Sequence, residues 1–349
     1  MTDSPRVPNH RPATVSRRGF AAGLGALAAG LAATRATAAQ DATAEASPVG
    51  SPVSAEGWSF TDGAGKTVTL PEVPRRIVAD VNAASALADF GITPIALSGW
   101  AATTDAAWGS LDRDIPVINA DAGSGEPDLE KLLALEPDLF VTILWTPDDP
   151  YTWTFTSPEQ LAAADRIVPV IGISVAGVAD ANMRAFEELA GALGADLASP
   201  ALTEARATYE ATREEFTALA AKQDDLVAAF GFISDTGLNI ANPPDWADLL
   251  FFSELGLHIV TPDVDAGEFW DKLSPELANT YPADILYQST ASIYTVDEIA
   301  ANPVYETLPA VAAGQLGPWN QDFISSYQGL TDAMRNVMGT LATAKRVRP

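Results

Sequence analysis

The sequence predicts two α/β lobes built on parallel sheets and joined by one long helix, and three observations carry that prediction. Short apolar runs alternate with helical stretches over residues 76–174 and again over 226–319. Between them, residues 179–194 form a helical stretch with no strand-like run. One helix-into-strand unit also occurs twice, as "PDLEKLLALEPDLFVTI" at 127–143 and "SPELANTYPADILYQS" at 274–289. Strands that alternate with helices bury both faces of a sheet, the arrangement that parallel sheets require.

Residues 1–38 read as a twin-arginine export signal. "SRRGF" at 16–20 leads into a short apolar stretch rich in Ala and Gly, and Ala36-Thr37-Ala38 fits a small-x-small cleavage site. Residues 39–56 are small, polar and proline-bearing, the composition of a flexible linker. The N-terminal lobe spans 57–178. It opens with a hairpin around Asp62-Gly63-Ala64-Gly65, followed by strands at 76–80, 94–99, 116–119, 138–144 and 167–174. The connecting helix occupies 179–198; its core, 179–194, spans about 24 Å at ~1.5 Å per residue. A rigid helical joint implies limited closure around a ligand. The C-terminal lobe spans 199–349, with strands at 226–234, 258–262, 284–289 and 314–319 and a last helix at 330–344.

Within the repeated unit, Leu129, Leu132 and Leu133 follow helical spacing and predict one buried stripe. Glu130 falls beside that stripe in the first turn, and Glu276 takes the same place in the second copy. Eight residues after each glutamate comes an aspartate, Asp138 or Asp284, at the start of an apolar strand. That equal spacing shows that the two lobes are built alike.

Composition narrows the chemistry. The chain has no cysteine, so no disulfide, thiolate site or lipid-modified cysteine is possible. His10 lies in the signal and His258 is the other histidine, too few for a histidine-rich metal site. Formal net charge is −26, and without residues 1–38 it becomes −30, from 15 basic and 45 acidic residues. Such a surface repels nucleic acid and anionic membranes and favours a neutral or cationic ligand.

Three stretches in order, "TDGAGKTVTLPEVPRRIVAD" at 61–80, the unit at 127–143, and "NPVYETLPAVAAGQLGPW" at 302–319, resemble the recurring signatures of ABC-transporter substrate-binding proteins for iron–siderophore and cobalamin uptake. The resemblance covers residues 57–344. It implies two lobes, a connecting helix and a ligand cleft between the lobes, a binding protein and not an enzyme, and no cofactor, iron entering only within a bound chelate. It implies ABC permease subunits as partners of a monomer, and it places permease docking on Glu130 and Glu276, where an Arg–carboxylate contact fixes orientation. Residue by residue it departs in two ways: the lipid-anchoring cysteine is missing, and arginines are scarce.

Ligands of open α/β sheets sit beyond the carboxyl ends of the strands, and the loops there are rich in aromatics. Trp100, Trp108, Trp145, Tyr151 and Trp153 fall in the first lobe, and Trp246, Phe269, Trp270, Tyr294 and Trp319 in the second. Of these, Trp100, Trp145, Tyr151, Trp153, Trp270 and Trp319 are the candidate contacts, with Trp145 and Trp319 foremost because each follows or ends an apolar strand. Arg113 is the one arginine readily placed near a cleft. An aromatic, arginine-poor cleft suits a ferric hydroxamate siderophore, and also cobalamin or haem. "GISVA" at 172–176 lacks the final glycine of a nucleophile elbow. An exported serine hydrolase using Ser174 and His258 is therefore the alternative of a different class. The expected location is the periplasm or the extracellular face of the cell membrane.

Overall fold

The two copies of the helix-into-strand unit fold into equivalent strand pairs. In a computed structural model that describes residues 57–103, 107–121, 125–145, 151, 153–234, 237–265, 267–292 and 294–349, Asp138 precedes β5 (Leu139–Leu144), which pairs in parallel with β3 (Ile77–Asp80). The Asp138 carboxylate accepts the backbone N–H groups of Arg75 and Arg76 at 2.9 and 2.8 Å, and its own N–H donates to Arg76 O at 2.8 Å. Asp284 does the same before β10 (Ile285–Ser289), which pairs in parallel with β7 (Ala228–Ser234). Val227 N–H donates to Asp284 Oδ2 at 2.9 Å, and Asp284 N–H donates to Val227 O at 2.8 Å. Each aspartate thus locks the register of two neighbouring strands at their amino ends. Asp284 also accepts the N–H groups of Val347 and Arg348 and pairs with the Arg348 guanidinium at 2.9 Å. Although desolvation opposes ionisation, those N–H groups and the Arg348 charge hold its carboxyl below the usual carboxylate range.

The first lobe carries a hairpin, β1 (Trp58–Thr61) and β2 (Thr67–Leu70), and an all-parallel sheet in the order β4 (Ala96–Ser98), β3, β5, β6 (Val170–Ser174). All residues of β3, β4 and β5 are buried, as expected of strands covered on both faces. Helices α1 (Val81–Asp89), α2 (Leu129–Ala134) and α3 (Pro158–Asp165) complete the lobe. The predicted strand at 116–119 is reduced to a single bridge between Val117 and Leu97. The predicted stripe is also corrected. Leu132 is buried, but Leu133 is 61% exposed, because α2 is only six residues long and ends before a second turn packs. Glu136, at φ 44°, turns the chain, and the Arg76 side chain donates to the terminal carbonyls of Leu135 and Glu136.

In the second lobe the sheet is mixed, where the sequence predicted a parallel one. Its order is β11 (Leu316–Trp319), β10, β7, β8 (Gly237–Ala241), β9 (Trp270–Leu273), with β8 and β9 antiparallel to their neighbours. Strand β8 returns directly on β7, a hairpin that periodicity concealed because "GLNIA" is short and lacks alternation. Gly237, at φ +141°, is forced there: a Cβ would lie 1.9 Å from Leu273 O. The predicted strand at 258–262 is one bridge, Ile259 to Ala228. Helices α6 (Ala247–Glu254), α7 (Val296–Ala300), α8 (Pro309–Ala312) and α9 (Tyr327–Leu341) surround this sheet. The second copy of the repeat makes a 3₁₀ turn, Pro275–Thr280, in place of an α-helix.

Between the sheets run α4 (Ala179–Ala192) and α5 (Pro200–Lys222). Helix α4 packs on α1 and β6 of the first lobe and on α6 and α9 of the second, burying Met183, Phe186 and Leu189 in one continuous core. Hydrogen bonds also stitch the lobes: Ser326 Oγ donates to Asp89 Oδ2 at 2.6 Å, and Arg206 and Tyr327 both hold Glu187. Among the described residues no helix is long and apolar enough to cross a membrane. The expected export signal and linker lie outside the described residues.

Candidate functional site

Beyond the carboxyl ends of the strands, a cavity of about 440 Å³ opens between the lobes. Trp145, the residue after β5, forms its aromatic wall together with Trp246 and Phe269 of the second lobe. The Trp145 ring stacks on Phe269 at 5.7 Å and meets Trp246 edge-on at 6.0 Å. Behind it, Trp153 stacks at 5.0 Å with 19° between the planes. Stacked and edge-on pairs of this kind hold the ring in place.

The floor is acidic. Asp248, in the first turn of α6, and Asp322, three residues after β11, both line the cavity. Trp319 Nε1 donates to Asp248 Oδ2 at 2.6 Å, while the buried Oδ1 has no partner. Burial pushes the Asp248 carboxyl up to about 7, the Trp319 hydrogen bond opposes this, and the Asp322 charge adds to it. Asp322 is pushed up by burial. Asp80 lies beneath Asn82 of the cavity wall, fully buried. It accepts N–H of Asn82 at 2.9 Å and the Thr154 hydroxyl at 3.1 Å. Burial raises it to about 7 as well, against those hydrogen bonds and with the Asp322 charge. Gly99, at φ +109°, seals it, since a Cβ there would sit 2.1 Å from Asp80 Oδ2. Asp245 at the mouth is already engaged, accepting from Asn242 at 2.7 Å and Gly267 N–H at 3.0 Å.

No lysine, arginine or histidine lines the cavity among the described residues, and no residue of 57–349 outside the described set is basic. The arginines are used elsewhere: Arg348 on Asp284, Arg184 on Asp180, Arg206 on Glu187. Arg113, expected near the cleft, lays its guanidinium over the Trp108 ring at 4.8 Å and does not line the cavity.

Of the aromatic candidates, the structure brings only Trp145 to the cavity surface. Trp319 is 2% exposed and supports the site from behind, holding Asp248 and meeting Trp246 edge-on at 5.2 Å. Trp270, on β9, braces Trp246 at 4.8 Å. Trp153 braces Trp145. The Tyr151 hydroxyl donates to Asp62 of the β1–β2 turn, and Trp100 sits over Gly125, 41% exposed. Sequence reasoning missed the acids Asp245, Asp248 and Asp322. Their signal was their position, in "PPDWADLL" after β8 and "WNQDF" at the end of β11.

Catalytic chemistry finds no support here. Ser174 makes no hydrogen bond to His258, which is exposed and bonds through its backbone carbonyl to Ala228 N–H at the amino end of β7, the end of the sheet away from the cleft. No group of three His, Asp or Glu side chains among the described residues could hold a metal ion. Glu130 and Glu276 are both exposed, and neither lines the cavity. Glu130 follows Asp128, which caps α2. The Ser274 hydroxyl and the backbone N–H of Glu276 hold the Glu276 carboxyl below its ordinary range.

Comparison with known proteins places this architecture. A profile of the periplasmic binding protein family matches residues 82–322. The ferric-siderophore receptor protein DesE from Streptomyces coelicolor is 29% identical, with a TM-score of 0.75 over 83% of this chain and 99% of that one. The petrobactin-binding protein YclQ from Bacillus subtilis is 17% identical, with a TM-score of 0.62 over 82% of this chain and 99% of that one. The periplasmic catecholate-siderophore binding protein VctP from Vibrio cholerae is 19% identical, with a TM-score of 0.56 over the same shares; these last two show the fold alone. No curated protein sequence is significantly similar to the chain. The chain therefore belongs to the periplasmic binding protein family, with the fold of its siderophore-binding members.

Proposed function

We propose that the protein captures a ferric siderophore of the hydroxamate type in the cleft between its lobes and delivers it to an ABC permease. The observation that carries this reading is the pairing of an aromatic wall with an acidic floor in a cavity that no basic residue lines. A hydroxamate brings one negative charge to iron and a catecholate brings two, so a ferric trihydroxamate core is neutral and a tricatecholate core strongly anionic. An anionic core facing Asp248 and Asp322 would be repelled in a site shielded from solvent. A neutral or cationic one gains the ring faces. The similarity to a ferric-siderophore receptor supports a siderophore as the ligand.

A tryptophan-emission screen against ferric trihydroxamate, ferric tricatecholate, cobalamin and haem tests it. Saturable quenching by the hydroxamate is the expected result; selective binding of the catecholate would overturn the charge argument. Export by the twin-arginine route and action as a monomer at the outer face of the membrane belong to the same proposal.

Docking to the permease falls to Glu130 and Glu276, one exposed carboxylate per lobe at the same offset from the strand that follows. The double variant Glu130→Ala, Glu276→Ala is expected to bind ligand normally and to fail in uptake through the cognate permease. Normal uptake would reduce both residues to ordinary helix-start carboxylates.

A further inference from the structure

A chelate that enters this cavity loses water from its iron-bound oxygens. Those oxygens keep partial negative charge, and burying them without N–H or O–H donors is costly. No lysine or arginine among the described residues lines the cavity, and its amide and hydroxyl side chains are Asn82, Gln321 and Ser325.

All three have polar atoms to spare. Ser325 is only 6% exposed, yet its hydroxyl bonds to no described residue and is not sealed off in the way that Asp248 Oδ1 is. The little surface it keeps belongs to the cavity lining. The Asn82 carboxamide likewise bonds to no described residue, since Asp80 accepts only its backbone N–H. Gln321 accepts the Ser289 hydroxyl on Oε1 at 2.6 Å, which leaves Nε2 without a partner among the described residues.

The fold holds these groups on ordered elements. Asn82 sits in the first turn of α1, and Ser289, which anchors Gln321, ends β10 and is buried. Ser325 immediately precedes Ser326, the N-cap of α9. The Ser326 hydroxyl donates to Asp89 of the first lobe at 2.6 Å and accepts Gly329 N–H at 3.0 Å. Gly329 allows the chain to fold so closely, because a Cβ there would lie 2.1 Å from Ile324 O. One polar side chain thus comes from the first lobe and two from the second.

We infer that Asn82, Gln321 and Ser325 donate hydrogen bonds to the iron-bound oxygens of the chelate and hold it from both lobes. The inference rests on the hydroxamate reading above and names the side chains that grip such a ligand. Neutral donors replace the lost hydration without bringing charge into the cleft. A few placed polar groups in a largely apolar cavity also fix the orientation of the ligand.

Calorimetry with the ferric complex of a linear trihydroxamate tests this on the full chain and on Asn82→Ala, Ser325→Ala and Gln321→Met. Melting temperatures of the ligand-free proteins are read alongside. Asn82→Ala and Ser325→Ala remove no side-chain hydrogen bond among the described residues, so both should melt close to the parent. Each of the three variants is expected to bind about three- to tenfold more weakly, the effect of one lost hydrogen bond. Asn82→Asp keeps the size but exchanges the donor for an acceptor, and it should weaken binding at least as much as alanine. Unchanged affinity in both Asn82→Ala and Ser325→Ala would overturn the inference and leave the hydroxamate reading standing. Parent-like affinity of Asn82→Asp would overturn the donor role of Asn82. Failure of the intact protein to bind the complex would overturn the hydroxamate reading itself.

Discussion

Replacing Trp145 with alanine removes the first-lobe ring that faces the cavity and packs on the second lobe. Its neighbours are Trp153 at 5.0 Å, Phe269 at 5.7 Å and Trp246 at 6.0 Å. At about 0.5–1.5 kcal/mol for each ring pair, the three contacts contribute roughly 2–4 kcal/mol to stability. Losing a central aromatic anchor typically weakens binding by about 2 kcal/mol or more, roughly 30-fold. The variant should therefore fold, melt several degrees lower, and bind ferric trihydroxamate at least 30-fold more weakly in calorimetry. Trp145→Phe should recover much of both, because a smaller ring still reaches Phe269 and Trp246. A folded Trp145→Ala protein with unchanged affinity would refute the placement of the ligand against this wall.

Further outcomes follow from the buried carboxyls and the helical joint. Asp80 has a folded-state pKa of about 7 against an ordinary value of 3.8, so between those values the folded state holds more protons and stability falls as pH rises. Asp80→Asn removes that penalty, and its melting temperature should exceed the parent's at pH 8 by more than at pH 5; the reverse order would contradict the burial argument. Asp284 is the opposite case, its pKa lowered by N–H donors and Arg348, so its contribution is present above the unfolded pKa and lost as pH falls through the folded one. Asp284→Ala leaves Arg348 and three N–H groups without their acceptor and should cost about 3 kcal/mol in denaturant unfolding at pH 7, the lower end for a broken buried pair because Arg348 is partly exposed. Helix α4 packed on both lobes, with Ser326 bound to Asp89, should keep closure small. Small-angle scattering should give nearly the same radius of gyration with and without ligand, and a large compaction would contradict a rigid joint.

The sequence made the architecture legible where burial imposes a pattern. Fully buried strands such as Leu139–Leu144 and Ile285–Ser289 stand out by mostly apolar runs, and helix α4 announces itself by 3.6-residue spacing. Asp138 and Asp284 were visible as a repeat, and the structure supplies their shared task of locking strand register. Strands β8 and β9 were not legible, since five and four residues with no clean alternation resemble loops. The site was legible in part. Aromatics after strands identify the end of the lobes where the cavity opens, yet which ring lines it depends on packing between distant segments. Trp319 and Trp145 look alike in sequence, but hydrogen bonding to Asp248 turns Trp319 inward. The acids were missed because exposed aspartates are common in a chain of this charge, and only tertiary burial distinguishes Asp248 from the others.

The central claim is that a ferric chelate lies between the Trp145 wall and the Asp248–Asp322 floor. Anomalous diffraction at the iron absorption edge, from crystals of the protein with ferric trihydroxamate, tests this most directly. A single iron peak is expected inside the cavity bordered by Trp145, Phe269 and Asp322. An iron peak elsewhere on the protein, or an empty cleft in crystals grown at saturating ligand, would contradict it.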